Sequence, residues 1–290
     1  MKVFKFGGAS VKDAAGVRNV AKVLSRYPDD DLLIVVSAMG KTTNALEEVV
    51  WANADGRDTQ EPVHQLRARH AQVLAEVAPG DTGAVDALEA SFRELQRSLA
   101  QRSSGDVDQD YDQVVALGEV WSTLIVAAHL RHAGLGCAWA DARTVVRTDD
   151  LYRSARVDWS ESARAAAAVL RPLLGAKPAR IVTQGFIGRT ANGETTTLGR
   201  EGSDFSAAIF AYLLDAESVT IWKDVPGMFN ADPKRFPDTK LLSHISYREA
   251  IELSYFGASV IHPRTLQPLQ QKRIPLYVRS FIDPDAPGST

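Results

Sequence analysis

Three observations predict an α/β fold with a mainly parallel sheet for this 290-residue sequence. A short β-rich run at residues 3–8, VFKFGG, ends in two glycines, and Val11, Val17, Val20, Val23 and Leu24 then follow at helical spacing. The run DLLIVVSAMG is continuously apolar until its closing Ser and Gly, as in strands buried on both faces of a parallel sheet. From residue 137 onward, strand-like and helix-like segments alternate to the end. Strand, glycine loop, helix, strand is how a βαβ unit begins.

Residues 43–132 carry apolar residues every three or four positions, with breaks at Asp55-Gly56, Pro79-Gly80 and Ser103-Ser104-Gly105. They predict a helical insertion after the second strand. CAWADA predicts a strand, the residues around Val157 a shorter one, and SARAAAAVLRPLL a helix. ARIVTQGFIG reads as a strand ending in a glycine-rich loop, and ETTTLGREGSDFSAAIFAYLLDA as strand, loop and helix. SVTIWKDVPGMF is a strand with a turn, YREAIELSYFG a helix, and IPLYVRSF the last strand. The expected division is a lobe over 1–190, a second lobe over 191–282, and a linker over 283–290.

Composition narrows the function. Lys and Arg number 33 against 36 Asp and Glu, a formal net charge of −3, so there is no electrostatic reason to expect nucleic acid or an anionic membrane as partner. The hydrophobic share of 45% and charged share of 24% are those of an ordinary globular protein. The lone Cys137 forms no internal disulfide, and no Cys/His cluster suggests a metal site, so none is expected. The start, MKVFKFGG, lacks the long apolar core of a signal peptide, and a cytoplasmic location is expected.

Gly40-Lys41-Thr42 imitates the end of a Walker A loop, but position 35 is Val where that loop needs Gly. Lys5-Phe6-Gly7-Gly8 is a better phosphate candidate. Its glycines permit close backbone approach, Ser10 is expected to open the next helix, and Lys5 is a compact cation. The second glycine-rich loop, residues 198–204, places Arg200, Ser203 and Asp204 among Gly199 and Gly202. Arg200 suits bidentate grip of a carboxylate, whereas Ser203 or Asp204 could equally cap a helix. Glu119, on an apolar helix, needs a partner, either a ligand ammonium or a protein Arg. Lys223 and Lys234 are candidate phosphate contacts beyond a strand end, and Phe229 a candidate adenine neighbour. His262, before Pro263, is expected to be structural.

Taken in order, KFGGASV, VVSAMGKTTNAL, LGEVWST, TQGFIG, TLGREGSDFSAA, WKDVPGMFNADPK and FGASVIHPRT resemble the aspartate kinases of the amino-acid kinase superfamily. The resemblance implies a three-layer αβα sandwich around a mainly parallel open sheet. It also implies transfer of the ATP γ-phosphoryl group, with Mg²⁺, to the side chain of L-aspartate, the first step towards lysine, threonine and methionine. It places Lys5 and Asp204 in catalysis, and Thr43, Glu119, Phe186, Arg200 and Ser203 at the amino acid. Gly7, Gly8, Ser10, Ser37, Lys223, Asp224, Phe229, Asn230, Asp232, Lys234 and Ser259 fall with the nucleotide. A homodimer is the expected assembly.

Three departures stand out. Lys223 stands where many members have Thr, and Ser259 where many have a phosphate-binding Lys, so Lys223 is expected to supply the missing cation. Paired regulatory ACT domains, present in most members, do not follow the linker. Competing expectations are a glutamate or N-acetylglutamate kinase, or a non-catalytic nucleotide-binding protein of the same fold. Glu119 separates the first pair, because an N-acetylated substrate has no ammonium for it.

Overall fold

Five consecutive apolar residues, Leu32–Val36, form β2 and are buried on both faces. In the computed structural model, which describes residues 1–100, 105–175, 177–231, 236, 238–255 and 261–290, this strand lies inside a six-stranded parallel sheet. The first unit is β1 (Lys2–Phe6), α1 (Ala14–Leu24) and β2. Then come α2 (Thr42–Ala54), α3 (Gln60–Val77), α4 (Thr82–Ala100), α5 (Val107–Val115) and α6 (Leu117–His132). β3 (Ala138–Ala140), α7 (Trp159–Val169) and β4 (Arg180–Gln184) follow. A small antiparallel pair, β5 (Ile187–Arg189) and β6 (Thr195–Thr197), leads into α8 (Gly202–Leu214) and β7 (Ser218–Lys223). The chain ends through α9 (Tyr247–Tyr255), α10 (Pro263–Lys272) and β8 (Leu276–Ser280).

The sheet order is β3-β4-β2-β1-β7-β8, so it takes strands from both sides of residue 190. Strand alternation divides its side chains between two cores. Phe4, Phe6, Ile34, Val36 and Trp222 face one core, with residues of α1, α3, α4 and α6. Val3, Leu33, Val35, Val219 and Ile221 face the other, with α8 and α10. Lys5 and Lys223 share the parity of Val3 and Ile221, so both ammonium groups leave the sheet on the α8 side. The parallel register sets Lys5 against Ile221 and Phe6 against Trp222, which places Lys223 one residue beyond the end of β1. The apolar stretch from Val107 to His132 is long enough to cross a membrane, yet almost all of it is buried within the protein.

Local chemistry explains where helices start, and it corrects four expectations. Helix α1 starts at Ala14, where the Asp13 side chain accepts the Gly16 N–H; Ser10 lies in the preceding turn, its N–H donating to the Gly7 carbonyl at 2.9 Å. The region around Val157 is not a strand but a single bridge to Thr148. Residues 263–272 form α10, which was not expected because Pro268 interrupts the pattern. Pro at the first helical position and His262 as cap, its Nδ1 accepting the Arg264 N–H at 3.2 Å, start it nonetheless. Residues 283–290 are not a free linker: Ser289 and Val278 exchange backbone hydrogen bonds of 3.0 and 2.9 Å, and Ser289 is 3% exposed.

Ile34, fully buried in the middle of the sheet, tests this layering. Ile34→Val should cost about 1 kcal/mol and Ile34→Ala about 2–5 kcal/mol by denaturant unfolding. Equal, small losses would mean that the residue lies outside a packed core.

Candidate active site

The strand ends, two close loops and the start of α8 enclose a cavity of about 510 Å³. Close approach of main chain builds its floor. A Cβ at Gly8 would lie 2.6 Å from the Ala38 carbonyl oxygen, so only glycine fits where the loops after β1 and β2 cross. The Gly8 carbonyl accepts the Gly40 N–H at 3.0 Å across the same crossing. At Gly185 a Cβ would lie 2.6 Å from the Ser203 Cβ, which seats the start of α8 against the end of β4.

Asp204, in the first turn of α8, is 3% exposed. Its Oδ1 lies 2.6 Å from the Lys5 Nζ and its Oδ2 3.4 Å from the Lys223 Nζ. Burial pushes this carboxyl up, but the two ammonium groups outweigh it and hold Asp204 below the usual carboxylate range. Helix α8 starts at Gly202 behind Glu201, so neither Ser203 nor Asp204 is its cap.

Glu119 faces the same cavity from α6 and is also 3% exposed. Among the described residues no Arg or Lys forms an ion pair with it, and its Oε2 has no hydrogen-bond partner. Burial pushes its carboxyl up to about 8, against the pull of the Ala38 amide, the Lys5 ammonium and the Gly185 amide. Among the described residues, the protein-Arg alternative for Glu119 finds no partner.

Of the expected residues, Lys5, Gly8, Ser37, Thr43, Glu119, Phe186, Arg200, Ser203, Asp204 and Lys223 line this cavity together. Gly7 is adjacent, a Cβ there lying 3.3 Å from the Lys5 Nζ. Ser10 is not in the lining; it is buried, with its hydroxyl unpartnered. Asp224 is exposed in the turn after β7. Phe229 and Asn230 pair instead with Leu241 and Lys240. Asp232, Lys234 and Ser259 lie outside the described residues.

Sequence reading missed Tyr111, Arg153, Thr197 and Glu201, which also line the cavity. Glu201 stood in plain view between Gly199 and Gly202, whereas Arg153 and Tyr111 carry no local signal. Arg153, Phe186 and Glu201 adopt left-handed backbone, with φ of 61, 69 and 54°. Such strain in non-glycine residues gathers where a ligand site requires it. The lining sets Lys5, Arg153, Arg200 and Lys223 against Glu119, Glu201 and Asp204, a surface for a molecule bearing several negative charges and one positive.

With a parallel sheet whose strand ends carry two ammonium groups over one buried carboxylate, the chain belongs to the Amino acid kinase family, whose profile matches residues 1–280. It is 38% identical over 292 residues to the bifunctional aspartokinase/homoserine dehydrogenase 2 of Escherichia coli, covering 100% of this chain and 35% of that protein. It is 35% identical to the E. coli lysine-sensitive aspartokinase 3, covering 99% of this chain and 63% of the relative. The crystal structure of E. coli aspartokinase III with aspartate and ADP superposes with a TM-score of 0.89 at 34% identity, over 100% of this chain and 64% of that one. The chain thus spans about a third to just under two thirds of the length of these relatives.

The raised carboxyl of Glu119 has a consequence for stability. Between the ordinary glutamate value of 4.5 and about 8, the folded protein holds a proton that the unfolded chain has released. Stability of the ligand-free protein should therefore fall as pH rises through that window. Thermal unfolding from pH 5 to 8 should show the fall, and Glu119→Gln should flatten it. An unchanged slope in Glu119→Gln would mean that Glu119 is ionised throughout.

Proposed function

We propose that this chain is the catalytic unit of an aspartate kinase, with L-aspartate and the Mg²⁺ complex of ATP as substrates and 4-phospho-L-aspartate and ADP as products. One observation carries the reading: a buried carboxylate with an unpartnered oxygen, Glu119, and a guanidinium, Arg200, share a cavity with the Lys5–Asp204–Lys223 cluster. Glu119 is suited to the α-ammonium of an amino acid and Arg200 to its α-carboxylate. Thr43, Phe186 and Ser203 complete that side.

The acceptor's side-chain carboxylate is already ionised at neutral pH, so no base need remove a proton. One of its oxygens attacks the γ-phosphorus, the bond from that phosphorus to the β,γ-bridging oxygen breaks, and ADP leaves with the bond's electron pair. The chain's contribution is positioning and charge neutralisation. Asp204 fixes two ammonium groups side by side: Lys5 neutralises the transferring phosphoryl oxygens and Lys223 the phosphate next to it. Lys223 thereby supplies a cation at the strand end, where a threonine would supply none. The Gly7-Gly8 turn and Ser37 line the phosphate path.

An N-acetylated amino acid would bury the Glu119 carboxylate against a neutral amide, leaving the charge without a partner. Hydroxylamine trapping of the acyl phosphate is the test. L-Aspartate should give ATP-dependent hydroxamate, with N-acetyl-L-glutamate giving far less; the opposite order would replace this reading. Lys5→Ala should lower kcat by about 10²–10³, the scale for losing one preorganised group that stabilises transition-state charge. Arg200→Lys should raise the aspartate KM and leave the ATP KM nearly unchanged, because a point cation cannot make the paired contact. A raised ATP KM instead would place Arg200 on the nucleotide.

A further inference from the structure

We propose that Asp112 is a positioning residue for the acceptor, acting through Thr197 and Arg153 on the loop that carries Arg200; this rests on the reading of the cavity as an amino-acid site. Asp112 is fully buried near the end of α5 and makes no contact with the cavity itself. Its carboxylate gathers three donors. Oδ2 accepts the Arg153 N–H at 3.0 Å and the Thr197 N–H at 2.7 Å, and Oδ1 accepts the Thr197 hydroxyl at 2.7 Å. Both donor residues line the cavity, as does Tyr111, the neighbour of Asp112. One carboxylate thus ties three separate wall segments: α5, the loop before α7, and the end of β6.

The tie reaches Arg200 by short steps. Thr197 ends β6, and only Leu198 and Gly199 separate it from Arg200. The Thr197 carbonyl accepts the Ala155 N–H at 2.9 Å, and the Leu198 N–H donates to the Phe186 carbonyl at 2.8 Å. Gly199, at a φ of 77°, packs so closely on the Arg153 loop that a Cβ there would lie 3.1 Å from the Arg153 carbonyl oxygen. Moving the Arg153 loop therefore moves the turn before Arg200. The Arg153 guanidinium lies 3.2 Å from Asp108 and 4.3 Å from the ring centroid of Tyr111, another lining residue. Its left-handed backbone is held by Asp112.

A carboxylate suits this place because it only accepts, with lone pairs for three donors at once. Burial pushes its carboxyl up to about 6 against these hydrogen bonds, so the fold keeps the group here at a cost.

The test measures KM for L-aspartate and for ATP, kcat and thermal stability in three proteins. The unaltered chain must first phosphorylate L-aspartate; if it does not, the reading of the site and this proposal fall together. Asp112→Ala should raise the aspartate KM about tenfold or more, the scale of losing buried hydrogen bonds, with the ATP KM within about twofold. Asp112→Asn keeps one oxygen for the two N–H groups in the same volume, so it should fold and raise the aspartate KM only about threefold. Should Asp112→Ala fail to fold, the Asn variant alone decides. An aspartate KM unchanged in Asp112→Asn, or aspartate and ATP KM values rising together, would overturn the proposal and leave Asp112 a purely structural group.

Discussion

The site depends on one buried carboxylate shared by two ammonium groups. Asp204 meets Lys5 at 2.6 Å and Lys223 at 3.4 Å, and each of the three comes from a different element. That meeting requires β1 and β7 to be parallel neighbours in the observed register, so that two lysines of equal parity emerge two residues apart in the register. It also requires α8 to begin above those strand ends, which the missing side chains of Gly185 and Gly202 permit: a Cβ at Gly202 would lie 2.6 Å from the Phe186 ring. Buried ions are costly unless paired, so the carboxylate and the two ammonium groups hold one another in place.

Glu119, in the lining of the same cavity, follows the reverse principle. Glu119 is a buried carboxylate with an unpartnered oxygen, so it awaits a cation. On the proposed reading, the lysines meet anionic oxygens and Glu119 an ammonium, as for an amino acid beside a polyphosphate. Holding these groups in fixed positions needs rigid walls. Three of those wall residues, Arg153, Phe186 and Glu201, hold left-handed backbone, and the hydrogen bonds at Asp112 show how such strain is kept in place. The wall is more than a lining: its conformation is over-determined by contacts one layer behind it.

Much of this was legible beforehand, for identifiable reasons. Apolar runs such as Leu32–Val36 can only be doubly buried strands, and glycines at strand ends mark places where main chain must pass close by. Lys5, Glu119, Arg200 and Asp204 were visible because a charge among glycines or apolar residues needs a reason to be there. What was not legible depends on distant parts of the chain. Ser10 looks like a helix opener until Asp13 is seen to cap the helix instead. Helix α10 was hidden by Pro268, whose cost tertiary packing of Leu266 and Leu269 offsets. Arg153 and Thr197 meet at Asp112, 41 and 85 positions away in the chain. No local pattern encodes such a meeting.

The most direct measurement of the account is the single-turnover rate of phosphoryl transfer in Asp204→Asn, with saturating aspartate and ATP. A neutral amide of the same shape leaves the fold's contours but releases both lysines from their shared anchor. If Asp204 fixes Lys5 and Lys223 against the transferring group, the rate should fall by about two orders of magnitude or more, on the scale of losing preorganised charge. A rate within about threefold of the unaltered protein, with both lysines still in place, would contradict the account at its base.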